Sequence, residues 1–307
     1  MGTSPKGGYV PPTTGELMKK IEAARERELA ALRQAVDDYL RRLLAAFNDR
    51  DADATRQHLS DVAAVLGDQF TIEALLLGGS VAKHTFVDGL SDVDALVVLE
   101  KREISDYTPR ELLSLFLRAV RKQLSDLGAS SVTKGDLALT IAFKDGLCLQ
   151  LLPAIRSGRE VEIPDAEGKD WKPTRPKVFQ RRLVRANEQA AGNLIPAIKL
   201  WKALNDGLPA QQHLKGYHIE ALATDAAPQV SSPSSVHGVL LDILAHAAKR
   251  VLRPIRDVTS QSRIVDDYLG RANSTARRNL SLALQGLCRQ MAAMTSVQQW
   301  KRLFEGQ

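Results

Sequence analysis

Two cysteines in 307 residues, Cys148 and Cys288, are too few and too far apart in the chain for a disulfide framework. Neither sits in metal-ligand spacing, so both read as small core residues of a protein kept reduced, as in the cytoplasm. Aromatic residues make up only 5% of the chain. No aromatic stacking platform accompanies the basic pairs Arg181-Arg182, Lys249-Arg250 and Arg277-Arg278, which therefore read as solvated helix faces before they read as a nucleic-acid surface. No run of eighteen apolar residues exists, which excludes a membrane-spanning helix. The first residues, Met-Gly-Thr-Ser-Pro-Lys-Gly-Gly, lack the apolar core of a secretory signal. His213 and His218, five apart, have the wrong spacing to offer two ligands from one helix face.

What remains is an ordinary soluble composition, 44% hydrophobic and 25% charged, in a chain long enough for two lobes. The charge is uneven. Residues 1–170 carry 22 Lys and Arg against 27 Asp and Glu, a net of −5; residues 171–307 carry 20 against 9, a net of +11. An acidic lobe facing a basic one would draw polyphosphates into the gap between them.

Periodicity and punctuation divide the chain. Residues 1–12, rich in Gly and Pro, read as a disordered tail. A capping box, Thr13 with Glu16, opens a long amphipathic helix whose apolar stripe runs through Leu17, Ile21, Leu29, Leu32, Leu40, Leu43, Leu44 and Phe47. A helix over 54–66 follows, then a strand over 71–77, a short helix after Ser80, a strand from Asp92 and a helix over 108–127. Strands over 137–143 and 147–152 form a hairpin around Lys144-Asp145-Gly146. Composition shifts from Pro164 through Pro176, and everything beyond reads as helices. The expected domains are a sheet-bearing lobe over 13–170, including the long first helix, and a helical lobe over 171–307.

Residues 75–99 carry the most chemistry. An apolar run delivers Gly78-Gly79-Ser80, and eleven residues separate Ser80 from an Asp-Val-Asp that opens a second apolar run. Strand side chains alternate, so Asp92 and Asp94 point the same way. Two carboxylates at one strand edge either repel until one keeps its proton or share divalent cations. Gly78 and Gly79 let backbone approach a ligand, and Ser80 adds a hydroxyl where a helix starts, a setting that favours phosphate. Each half is a common structural feature alone. Together they describe a site for a nucleoside triphosphate with its metal, arranged for phosphoryl or nucleotidyl transfer.

This segment resembles the signature of the polymerase-beta-like nucleotidyltransferase superfamily, in which Gly-Ser precedes Asp-x-Asp. Leu151-Leu152-Pro153-Ala154 resembles the strand end bearing the third catalytic acid, Leu194–Leu204 the lysine-bearing spine helix, and Gly216-Tyr217-His218-Ile219-Glu220 the Ser-Tyr-x-Leu-Glu block. Together these are similar to the bacterial CD-NTases of anti-phage defence, relatives of cyclic GMP-AMP synthase and oligoadenylate synthetase. The resemblance implies an α+β, bilobal nucleotidyltransferase fold, with a mixed sheet lobe and a C-terminal all-helical lobe. It implies a two-metal site for Mg2+ or Mn2+ on Asp92 and Asp94, with the third acid position held by Gln150. Gly79, Ser80, Lys83, Lys199, Lys202 and Tyr217 are the implied nucleotide contacts, the lysines for phosphate and Tyr217 for the base. The implied reaction joins nucleoside triphosphates into a cyclic or linear oligonucleotide read by a separate effector protein, away from any membrane. Glutamine brings no formal charge and accepts no proton as a carboxylate does. A silent nucleotide-binding regulator, and a transferase acting on RNA or protein, therefore stay open as alternatives.

Overall fold

The computed structural model describes residues 13–47, 52–88, 92–158, 160–165, 167–259 and 262–305; the expected tail over 1–12 lies outside them. Helix α1 (Thr14–Ala46) begins where the capping box predicts, with the Glu16 amide donating to Thr13 Oγ1 at 3.3 Å and the Thr13 amide to Glu16 Oε2 at 2.7 Å. After α2 (Ala52–Gly67) come β1 (Ile72–Leu77), the single turn α3 (Gly79–Ala82) and β2 (Val93–Leu99). A second capping box, Thr108 with Glu111, opens α4 (Pro109–Lys122). This helix stops five residues short of the expected 127, because Ser125, Asp126 and Gly128 (φ +68°) close a turn into β3 (Ala129–Lys134).

The hairpin forms as read, between β4 (Leu139–Phe143) and β5 (Cys148–Ser157), with Gly146 at φ +91° in its turn. Two further strands, β6 (Glu160–Pro164) and β7 (Trp171–Thr174), extend the sheet across the expected boundary at 170. Pro164 and Pro173 argued against strands there; β7 tolerates a proline because it is an edge strand. Helices α5 (Pro176–Gln189), α6 (Leu194–Asp206), α7 (Gly216–Ala226), α8 (Val236–Arg250), α9 (Thr275–Ala292) and α10 (Val297–Glu305) complete the chain.

The sheet runs β1-β2-β5-β4-β3, with β6 on the far end of β5 and β7 on β6. Among the described residues only β2 and β5 pair in parallel. One core lies between this sheet and α2 and α4, around Phe116, Leu112, Val97 and Leu149. The other fills the helical lobe around Trp201, Leu240 and Ile243. Val36, Tyr39, Leu40 and Leu44 of α1 belong to this second core, and Asp37 Oδ1 accepts the His237 amide at 2.9 Å at the start of α8. The C-terminal part of α1 thus packs with the helical lobe, where sequence reasoning had assigned it to the sheet lobe. Residues 13–31 of α1 pack on neither.

Candidate active site

The parallel pairing of β2 with β5 sets Asp94 beside Gln150 on neighbouring strands. Asp92 stands one residue ahead of β2, and both carboxylates line one cavity of about 360 Å³. Gly79, Ser80 and Lys83 border it from the sheet lobe, and Lys202, Tyr217 and Glu220 from the helical lobe. The residues of the Gly-Gly-Ser turn and the Asp-Val-Asp are thus brought together as their spacing predicted.

The turn and the acid touch. Gly78 donates its amide to the Asp94 carbonyl at 2.8 Å. Gly79 sits at φ +51°, and a Cβ built on it would lie 1.5 Å from Asp94 Oδ2, so the carboxylate occupies the space any side chain at 79 would need. Because α3 is a single turn, the expected phosphate cradle reduces to the amides and Ser80 hydroxyl of the turn itself. Burial pushes the Asp94 carboxyl above the ordinary range; Lys83 opposes that shift and Asp92 reinforces it. Gln150 donates its side-chain amide to Asp92 Oδ2 at 2.5 Å, facing the acid with a hydrogen-bond donor.

Across the cleft, Glu220 is buried among cations. Its carboxylate pairs with Lys83 and accepts from Lys202 Nζ at 2.9 Å and from the Thr85 hydroxyl. Lys202 also donates to the Thr85 carbonyl at 2.9 Å and to Thr85 Oγ1 at 3.3 Å. Burial alone would raise the Glu220 carboxyl, but Lys83 and Lys202 outweigh it and hold it below the usual range. Burial likewise pulls Lys202 below the usual lysine range, with Glu220 opposing. The cluster ties Lys83 and Thr85, just beyond α3, to α6 and α7, and so joins the lobes.

No family model matches the sequence, and no curated protein matches it significantly. Solved structures do. The Bradyrhizobium diazoefficiens CD-NTase CdnG, in complex with GTP, superposes with a TM-score of 0.61 at 16% identity, covering 83% of this chain and 88% of that one. The Elizabethkingia meningoseptica CdnE cyclic dinucleotide synthase, with GTP and Apcpp, gives 0.59 at 16% identity over 78% and 92%. The Vibrio cholerae DncV cyclic AMP-GMP synthase, in complex with a linear intermediate, gives 0.60 at 12% identity over 95% and 91%. The chain has the CD-NTase fold. At these identities the likeness is one of architecture.

Within the CD-NTase fold not every expected contact reaches the cleft. Lys199 lies outside it: its Nζ sits 4.3 Å from the Phe86 ring centroid, beside a separate cavity of about 410 Å³ that His84 also lines. The cause is the pair of neighbours Thr85 and Phe86, of which Thr85 meets Lys202 and Phe86 meets Lys199. Tyr217 does line the cleft, but it is anchored. Its hydroxyl donates to Asp257 Oδ1 at 2.9 Å, its ring meets Phe179 edge-on at 4.9 Å, and Lys83 Nζ lies 5.1 Å from its centroid.

Behind Tyr217, His218 points into the helical lobe, with Nδ1 2.9 Å from Tyr268 Oη and Nε2 3.4 Å from Asp266 Oδ2. Burial lowers its pKa to about 4. Sequence reasoning assigned no role to Glu220 or Thr85. Glu220 had left a signal, a carboxylate in the otherwise apolar run Ile219–Ala223; Thr85 had left none.

Proposed function

We propose that the chain is a Mg2+- or Mn2+-dependent nucleotidyltransferase that transfers a nucleoside monophosphate from a nucleoside triphosphate to the hydroxyl of a second nucleotide or a growing oligonucleotide. The observation that carries this reading is the meeting of Asp92, Asp94 and the Gly79-Ser80 turn in one cavity, with Lys83 beside the turn and Lys202 on the far wall. The GTP, Apcpp and linear intermediate held by proteins of the same fold support it.

The residues fit a cation. Among the described residues no group of three or more His, Cys, Asp or Glu forms a metal cluster, so Asp92 and Asp94 would share a metal with the phosphate oxygens of the substrate. Asp94 is burdened by burial and by a like charge, which is how a carboxylate awaiting a counter-ion behaves. A metal held by Asp92 and Asp94 would supply charge neutralisation to the triphosphate and make its α-phosphorus more electrophilic. Gly79 leaves room for the Asp94 carboxylate at the turn, Ser80 offers the phosphates a hydroxyl, and Lys83 exchanges part of its contact with Glu220 for the polyphosphate. Tyr217, held by Asp257, presents its ring to the base. The acceptor oxygen bonds to the α-phosphorus, the bond to the bridging oxygen breaks, and pyrophosphate leaves with the electron pair. The acceptor proton passes to solvent, since position 150 offers no carboxylate. By likeness to the synthases of this fold, the product is a cyclic or linear oligonucleotide messenger, consistent with anti-phage signalling through a separate effector.

The hydrogen bond from Gln150 to Asp92 favours a second reading, in which the protein binds the metal-nucleotide complex without turning it over. One experiment separates the two. The protein is incubated with each labelled triphosphate and Mg2+ or Mn2+, and products are resolved by mass, beside Asp92→Ala, Asp94→Ala and Gln150→Asp. Phosphodiester-linked product and free pyrophosphate from the wild type, both lost in the two alanine variants, support transfer; turnover that survives them rejects the site. Binding without product in the wild type and in Gln150→Asp supports the silent reading. Label on added RNA or protein would identify a macromolecular acceptor.

A further inference from the structure

The first half of α1 leaves the body of the protein. Every residue from Thr13 to Ala31 is exposed, although the segment carries Leu17, Met18, Ile21 and Leu29, exposed at 47, 56, 61 and 46%. At 1.5 Å per residue these turns form an arm about 27 Å long. Its side chains are patterned. Met18, Ile21, Arg25, Glu28, Leu32 and Ala35 follow one another at alternating spacings of three and four, the seam of a two-stranded coiled coil. Two of the six seam positions are charged, and opposite in sign.

That pair of charges selects the occupant. In a parallel pairing of two such arms, identical seam positions meet, setting Arg25 against Arg25 and Glu28 against Glu28. In an antiparallel pairing centred between residues 26 and 27, the seam is self-complementary. Arg25 meets Glu28 of the second copy, Ile21 meets the face of Leu32 left open by its packing on the helical core, and Met18 meets Ala35, each contact occurring twice about the two-fold axis. On the flank, Ala24 meets Leu29, and the small alanine lets the helices approach. The arm is otherwise neutral: Lys19, Lys20, Arg25 and Arg27 balance Glu16, Glu22, Glu26 and Glu28.

We infer that the arm is a dimerisation element, on which two copies of this chain pair antiparallel through residues 17–35. Such a pairing is isologous and closed, so it ends at two copies. The seam stands on α1, and none of its residues lines the cleft, which is bordered by residues from Gly79 onward.

Sedimentation of the full chain over a roughly hundredfold range of concentration tests this by mass action. The wild type is expected to shift from one copy to two. Ile21→Asp is expected to remain single. Arg25→Glu and Glu28→Arg, each placing like charges at the seam, are also expected to remain single, while an equal mixture of the two variants pairs and the double variant Arg25→Glu/Glu28→Arg pairs with itself. Circular dichroism of each variant separates loss of pairing from loss of the helix. A wild type single at every concentration overturns the inference, including where the arm binds some other protein. A dimer that survives Ile21→Asp and both single reversals overturns it too, since the interface then lies elsewhere.

Discussion

Helix α7 stands between two buried clusters of charge that solve the same physical problem in opposite ways. Behind it, Arg277 and Asp266, both fully buried, are sealed. Arg277 donates to Asp266 Oδ2 at 2.5 Å and to the carbonyls of Val251, Asp266 and Gly270 at 2.9 to 3.1 Å. One positive charge meets one negative, and the leftover donors end on backbone. In front, Glu220 is shared by Lys83 and Lys202, so two positive charges meet one negative, and this cluster faces the cavity. A balanced cluster closed off from water stabilises the fold, whereas an unsealed one at a cavity wall, where Asp94 also interacts with both lysines, keeps its charges within reach of whatever enters the cavity. Lys202 is thus buried, with its hydrogen bonds within the protein made, and still lines the cavity.

Breaking the sealed cluster should have the largest effect on stability. Arg277→Met strands Asp266 and is expected to cost roughly 3–5 kcal/mol in urea unfolding, while the molecules that still fold bind nucleotide as before. Lys202→Met in the open cluster should cost less, about 1–3 kcal/mol, because Lys83 still neutralises Glu220. It should also weaken triphosphate binding about tenfold, worth about 1.4 kcal/mol, by calorimetry. If both variants change stability and affinity alike, the distinction between the clusters fails.

A smaller effect sharpens it through pH. His218, beside the sealed cluster, titrates at about 4 in the folded chain against an ordinary 6.5. The unfolded chain therefore binds the proton first. Stability is fully present above about 6.5 and falls as the pH drops toward 4. Replacing His218 with Gln should flatten that part of the pH profile of unfolding, leaving the carboxylate-driven loss at lower pH.

The local features of the fold were open to sequence reading. The capping box at Thr13 is a four-residue pattern, and the Asp145-Gly146 turn depends on immediate neighbours; both stand where the sequence puts them, and Asp92 and Asp94 line one cavity. The features that escaped are set by chain segments far apart. Whether Lys199 or Lys202 faces the cleft is decided by Thr85 and Phe86 threading between them, which no helical period reveals. Strands β6 and β7 were hidden by Pro164 and Pro173, residues that punctuate most chains but are allowed at a sheet edge. The apolar stripe of α1 was legible throughout. That only its second half finds a partner in the body was not, because both halves carry the same pattern.

The place of Gly79 against Asp94 makes two positions behave as one. With 1.5 Å between a virtual methyl and a carboxylate oxygen, even alanine at 79 evicts the acid from its seat, and no rotamer change at 79 relieves the clash. A side chain at 79 and the present seat of the Asp94 carboxylate therefore exclude one another, so the two positions can change only together.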